Sequence, residues 1–158
     1  MIVYFPGITI EIAEHVLEIM RSYTQYSGMN EAGGILLGKY IPEKEYYYIT
    51  MATEPTEKDS AGPLWFNRNR VMAQQRINEQ WNNSNGIVNY LGEWHTHPWR
   101  SPRPSLVDRN LMKKIVKDGS NVWKHLIMII VGLNNTLYIG VCDSEYKGII
   151  TNERIMGG

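Results

Sequence analysis

The sequence predicts an α+β protein of the α/β/α kind, with a mixed, mostly antiparallel sheet flanked by helices. Three observations predict it. Apolar runs of strand length, LIMIIVGL (126–133) and LYIGVCD (137–143), are rich in β-branched residues and are separated by turn-forming asparagines. Other segments repeat their apolar residues at helical spacing, so helices and strands interleave along the chain. No glycine-rich phosphate loop joins a strand to a helix, and the turns favour a mixed sheet over a doubly wound one.

After a short lead, the first element is a helix in IEIAEHVLEIMRSY, where Ala13, Val16, Leu17 and Met20 form one apolar stripe. SGMNEAGG breaks it. Two strands follow, GGILLGKYI and EYYYITMAT, joined by a turn at Pro42 to Lys44. The polar, Gly- and Pro-punctuated stretch EPTEKDSAGPLWF is expected to be a loop at the active end of the sheet. A second helix is expected over roughly Asn67 to Trp81, and the segment IVNYLGEWHTH is a strand that carries two histidines. Pro98, Pro102 and Pro104 lack N–H donors and fix φ, so the chain must leave the sheet after His97. Ser105 then opens a third helix, SLVDRNLMKKIVKD, with Val107, Leu111 and Ile115 or Val116 at helical spacing. The last three strands, LIMIIVGL, LYIGVCD and KGIITNERI, read as an antiparallel meander with a tight turn at Asn134-Asn135.

Composition is that of one domain, expected to span 1–158. The 158 residues, 43% of them apolar, suffice for one core. Sixteen basic residues balance sixteen acidic ones, so nothing in the net charge points to nucleic acid or an anionic membrane as partner. The lone Cys142 excludes an internal disulfide and sits in an apolar run, which suits the core better than nucleophilic work. The amino-terminal stretch has no basic n-region and meets acidic residues early. The longest apolar run has eight residues, against about 20 for a membrane helix. A soluble, cytoplasmic protein is expected.

The chemistry lies in HTHPWRSPRPSLVD, His95 to Asp108, together with Glu31 in EAGGILLG. In an extended chain His95 and His97 share a face and stand roughly 6.6 Å apart, close enough for both imidazoles to converge on one ion. Asp108 falls in the first turn of the third helix and can reach back to the strand end. Three such ligands leave a fourth tetrahedral position for water, the count of a catalytic zinc site. Ser105 and Asp108 also fit a capping box, which needs no metal. Glu93 shares the face of both histidines and could compete as base or ligand; orientation of an imidazole suits its position better, and a salt bridge or a solvated face is the preferred reading.

These residues resemble the JAB/MPN metalloprotease family, whose JAMM motif is a Glu followed at a distance by H-x-H-x7-S-x2-D. His95, His97, Ser105 and Asp108 fit it without a gap, while EAGGILLG and LGEWHTHP look like prokaryotic members. The resemblance implies a JAB/MPN-like, cytidine-deaminase-like fold with one Zn2+ per chain held by His95, His97 and Asp108. It implies Glu31 as general base, Ser105 as oxyanion partner, and hydrolysis of an amide or isopeptide bond. Those prokaryotic members are similar to the JAB deconjugases of integrative elements and CBASS anti-phage operons, encoded beside E1- and E2-like enzymes. The implied substrate is a ubiquitin-like or otherwise conjugated C-terminus, for instance that of a nucleotidyltransferase. Processing of a small sulfur-carrier protein and a non-catalytic MPN scaffold are the alternatives.

Around the site, Trp99, Arg100 and Arg103 are candidates to grip an extended peptide, with a plain solvated loop as the other reading. Trp65 and Phe66 either line the cleft or pack in the core. His15 and His125 lie outside the motif and read as non-catalytic, and the terminal Gly157-Gly158 reads as a frayed end.

Overall fold

The computed structural model describes residues 1–23, 29–98, 101–119 and 123–157. Their order is β1 (Ile2–Phe5), β2 (Ile8–Ile12), α1 (Glu14–Ser22), β3 (Gly33–Ile41), β4 (Tyr46–Ala52), β5 (Ser60–Gly62) and β6 (Trp65–Asn67). Then come α2 (Arg70–Asn83), β7 (Asn89–Thr96), α3 (Leu106–Lys117), β8 (His125–Val131), β9 (Leu137–Asp143) and β10 (Ile149–Met156). Eight strands form one sheet in the order β1-β2-β4-β3-β7-β8-β9-β10. The pairs β2/β4 and β7/β8 are parallel and the rest antiparallel, so the sheet is mixed and mostly antiparallel, as the sequence predicts.

Helices cover both faces. On one, Val16, Leu17 and Met20 of α1 pack with Ile10, Leu36, Ile49, Trp94 and Ile129. On the other, Ala73 of α2 and Met112 and Ile115 of α3 pack with Ile35, Leu37, Tyr90 and Met128. Strands β8 and β9 are buried along their whole length, which is why they read as unbroken apolar runs. Their turn is made by Asn134 and Asn135, both left-handed, at φ 54° and 58°. Cys142 is fully buried in this core. The outer strands curl toward each other until the Arg154 guanidinium lies 5.8 Å from the centre of the Phe5 ring, linking β10 to the end of β1.

Four expectations need correction. The lead before α1 is an antiparallel hairpin, β1/β2, turned at Pro6-Gly7 with Gly7 at φ 73°. Ile8, Ile10 and Ile12 alternate inward, and this period of two is the strand signal that a helix beginning at Ile10 overrides. The stretch 54–66 is not all loop, because β5 and β6 form a small hairpin there. In α3 the buried stripe is Asp108, Met112 and Ile115, while Val107 and Leu111 stay exposed. The inward carboxylate of Asp108 turns the helix by one residue. Helix α2 also starts three residues late, at the Asn69 cap, whose side chain accepts from the Met72 N–H at 3.0 Å.

Candidate metal centre

The antiparallel register of β3 and β7 brings distant residues together. Gly33 pairs with His95, and one step further Thr96 N–H donates to the Ala32 carbonyl at 2.8 Å while Ala32 N–H donates to Thr96 Oγ1 at 3.0 Å. Glu31 is thereby carried to His97, with Oε1 3.9 Å from Nε2. Gly33 has to be a glycine, since a Cβ there would meet the Trp94 carbonyl at 2.5 Å and the Phe66 ring at 2.8 Å.

A β-bulge in β7 sets which side chains face the site. The register slips between Leu36 and Leu37, whose partners are Gly92 and Tyr90. Gly92 lies so close to β8 that a Cβ would sit 1.8 Å from the Ile127 carbonyl oxygen. The extra residue puts Tyr90 on the same face as Glu93 and His95, although three positions separate it from Glu93. Tyr90 donates its hydroxyl to Glu93 Oε1 at 2.6 Å, and Arg68 closes a forked ion pair onto the same carboxylate. Of the preferred reading of Glu93, a salt bridge or a solvated face, the structure has the salt bridge, and the carboxylate is buried rather than solvated. Burial alone would lower the Arg68 pKa, but the Glu93 charge overrides this and holds the guanidinium ionised.

His95, His97 and Asp108 close a triangle. The two Nε2 atoms are 3.1 Å apart, His95 Nε2 is 3.2 Å from Asp108 Oδ1, and His97 Nε2 is 3.5 Å from Asp108 Oδ2. Tetrahedral ligands about 2.0–2.1 Å from a zinc-sized ion are separated by about 3.3 Å, so all three edges fit one ion. Donor chemistry agrees, because lone-pair atoms this close repel unless a cation or proton lies between them. Glu31, His95 and His97 also satisfy the spacing of a metal-capable trio, with donor atoms within 4.8 Å of one another.

Each donor is held by its own element. His97 is fully buried; its N–H donates to the Val131 carbonyl at 2.8 Å. Its Nδ1–H donates to the Ser101 carbonyl at 3.3 Å, which leaves Nε2 as the ligating nitrogen. Asp108 is fixed by a capping box: Ser105 N–H donates to Asp108 Oδ2 at 2.6 Å and Asp108 N–H donates to Ser105 Oγ at 3.2 Å. Burial works against the charge on Asp108, yet hydrogen bonds from His95, His97 and Ser105 hold its carboxyl far below the usual carboxylate range. The capping box and the metal-ligand reading therefore describe one arrangement.

Of the eight predicted site residues, the structure gathers Glu31, His95, His97 and Asp108, with Ser105 joined through Asp108. Arg103 is exposed and lies outside the cleft walls. Trp99 and Arg100 lie outside the described residues. A cleft leads away from the donors between α2 and α3, walled by Ile77, Val107 and Leu111 and floored by Tyr90 and the Arg68–Glu93 pair. Trp65 and Phe66 line it, which resolves the choice between cleft and core. The sequence reading missed Arg68, Tyr90 and the cleft faces of Val107 and Leu111. The one available signal was an exposed apolar pair on a helix whose facing stripe holds an aspartate.

Residues 13–140 match the family described as prokaryotic homologs of the JAB domain. The chain is 34% identical over 132 residues to a CD-NTase/cGAS isopeptidase of Escherichia coli, an alignment that covers 83% of this chain and 80% of that one. It is 31% identical to the similarly named protein of Pseudomonas aeruginosa, over 89% and 87% of the two chains. A probable metalloprotease of Sinorhizobium fredii is 27% identical over 77% and 74%. A solution structure from Desulfitobacterium hafniense shares the fold, with a TM-score of 0.58 at 18% identity over 94% of this chain and 90% of that one. With the motif seated in this geometry, the chain belongs to the prokaryotic JAB family of metalloproteases.

Proposed function

We propose that the protein is a zinc-dependent isopeptidase that hydrolyses the amide bond at the C-terminus of a ubiquitin-like modifier or conjugated protein. One observation carries the reading: the 3.1, 3.2 and 3.5 Å triangle of His95, His97 and Asp108, with the Glu31 carboxylate 3.9 Å from its nearer corner. His95, His97 and Asp108 would hold the zinc, and all of residues 1–158 would serve as one JAB/MPN-like domain. When bound, zinc supplies Lewis acidity that makes water a nucleophile near neutral pH and polarises a carbonyl.

The side chains supply the rest. Glu31 is 4% exposed and takes the proton from the attacking water, then delivers it to the departing amine, which otherwise leaves poorly. Ser105 accepts the Asp108 N–H through a lone pair, so its own hydroxyl hydrogen is available to the carbonyl oxygen as charge grows there. Ser101 fixes the tautomer of His97, and the helix cap fixes the carboxylate of Asp108.

The relatives named CD-NTase/cGAS isopeptidase support a CD-NTase conjugate as the substrate; action beside E1- and E2-like enzymes in the cytoplasm is part of the same proposal and rests on the resemblance of the motif. Among the described residues no helix is long and apolar enough to cross a membrane. The test is zinc content measured together with cleavage of a fusion at a candidate conjugated C-terminus, wild type against Glu31→Ala. Cleavage by the wild type, and none by a zinc-replete Glu31→Ala protein, supports the assignment. A protein without zinc overturns it.

A further inference from the structure

Gly132 follows β8 at φ −99° and ψ −173°, an extended conformation that residues with side chains adopt freely. Backbone geometry therefore does not call for glycine there. Space does. A Cβ on Gly132 would stand 2.7 Å from Thr136 Oγ1, 2.9 Å from Pro102 Cδ and 3.1 Å from Pro102 Cβ, all inside the ordinary contact distance of about 3.5–4.0 Å. The Pro102 ring is thus seated on the bare backbone of Gly132. Pro102 is buried while Ser101 and Arg103 on either side of it are exposed, so the ring anchors a segment that otherwise faces solvent.

The anchor acts on what is bonded to it. Cδ is attached to the Pro102 nitrogen and lies in the same planar amide group as the Ser101 carbonyl. That carbonyl accepts the His97 Nδ1–H at 3.3 Å. A ring pushed off Gly132 carries the Ser101 oxygen with it, and a hydrogen bond already this long has little distance to lose. The main chain of His97 is tied to the same place, since its N–H donates at 2.8 Å to the carbonyl of Val131, the residue before Gly132. The end of β8 supports His97 twice, once through the backbone and once through Pro102 and Ser101. The turn beyond holds Gly132 itself: Gly132 N–H donates to the Thr136 carbonyl at 2.8 Å, and Thr136 donates to the Leu133 carbonyl from its N–H at 3.2 Å and its hydroxyl at 2.8 Å.

Resting on the metal-ligand reading of His97, we propose that Gly132 is a positioning residue of the metal centre. The missing side chain lets Pro102 seat, Pro102 sets the Ser101 carbonyl, and that carbonyl holds the His97 ring with Nε2 toward the other donors. Partners that orient a metal ligand are typically worth about 10–100-fold in metal affinity. A single methyl group on Gly132 therefore weakens zinc binding by about that factor without altering any ligand.

The test uses the whole protein, stripped of metal, with two readouts. One is zinc affinity by competition with a chromophoric chelator. The other is the His97 Nδ1–H proton signal of the metal-free protein, assigned by its loss in His97→Gln and protected from exchange with water in the wild type. Gly132→Ala should weaken zinc by about tenfold or more and lose the protected signal. Pro102→Gly takes the ring away from the other side of the contact and should do the same, so a Gly132→Ala protein that does not fold still leaves a deciding variant. Thr136→Ala removes the side-chain hydrogen bond of the turn but leaves Pro102 seated. It should lower the thermal midpoint, with zinc affinity changed by less than about twofold and the His97 signal kept. Wild-type zinc affinity in folded Pro102→Gly or Gly132→Ala, or a loss in Thr136→Ala as large as theirs, overturns the proposal. A wild type that binds no zinc would refute the metal reading instead, and the His97 signal then decides this one: its loss in the two variants supports the positioning role and its persistence overturns it.

Discussion

Arg68 holds Glu93 in a fork, Nε lying 2.9 and 3.0 Å from the two carboxylate oxygens and Nη2 2.8 Å from Oε1. Glu93 is 6% exposed, so removing its partner leaves a buried carboxylate with only the Tyr90 hydroxyl to stabilise it. Arg68→Ala is expected to cost about 3–5 kcal/mol of stability. Urea unfolding of the two proteins measures this, and a loss below about 1 kcal/mol would show that the pair is effectively solvated.

His97→Ala should abolish metal binding, because His97 is fully buried with Nε2 at a corner of the donor triangle. Metal analysis after dialysis, with circular dichroism to confirm the fold, is the check. A folded variant that keeps one zinc per chain would remove His97 from the ligand set.

Ser105 has two separable roles. Ser105→Ala should lose the α3 cap at a cost of about 1 kcal/mol, and kcat should fall about 10²–10³-fold. Ser105→Asn restores a cap acceptor without a hydroxyl, so its thermal midpoint should recover while turnover does not. Full activity in Ser105→Asn would confine Ser105 to capping.

His125 sets a pH dependence far from the metal centre. Its Nδ1 is 3.0 Å from the Tyr47 hydroxyl and 3.6 Å from Glu45 Oε2, and its Nε2 is 3.6 Å from Asp143 Oδ2. Burial pushes the imidazole pKa below its ordinary 6.5, outweighing Asp143 and Glu45, which raise it. The unfolded chain then takes up a proton at a higher pH than the folded one, so the contribution to stability is complete above 6.5. It is lost as the pH falls through 6.5 toward the folded value. Denaturation midpoints between pH 5 and 7.5 should drop on the acid side, with a shallower slope in His125→Gln. An unchanged slope would exclude His125 as the source.

The motif was legible because its spacing is covalent. Two histidines on one strand face, with a serine and an aspartate in one helical turn, carry their geometry in the sequence. The distance from Glu31 to His97 was not, since the β3/β7 register sets it across more than sixty residues. The hairpin at Ile2–Ile12 was lost because its inward-facing Ile10 and Ile12 run on into the stripe of α1. The inner face of α3 was misjudged for a related reason: hydrophobicity favours Val107 and Leu111, but capping and electrostatics bury Asp108, and the one-residue rotation follows. The partnership of Arg68 with Glu93 is tertiary and leaves no local trace.

The capping box places Asp108 in the first turn of α3 with both carboxylate oxygens already directed, one to Ser105 N–H and the histidines beside them. Its rotamer is therefore chosen when the helix forms. Side-chain entropy that a floppy ligand would lose on capturing an ion is lost earlier, during folding, where the whole cooperative transition absorbs it. Ion uptake then resembles filling a preorganised socket, and a shorter or frayed α3 would loosen the ion without altering any ligand.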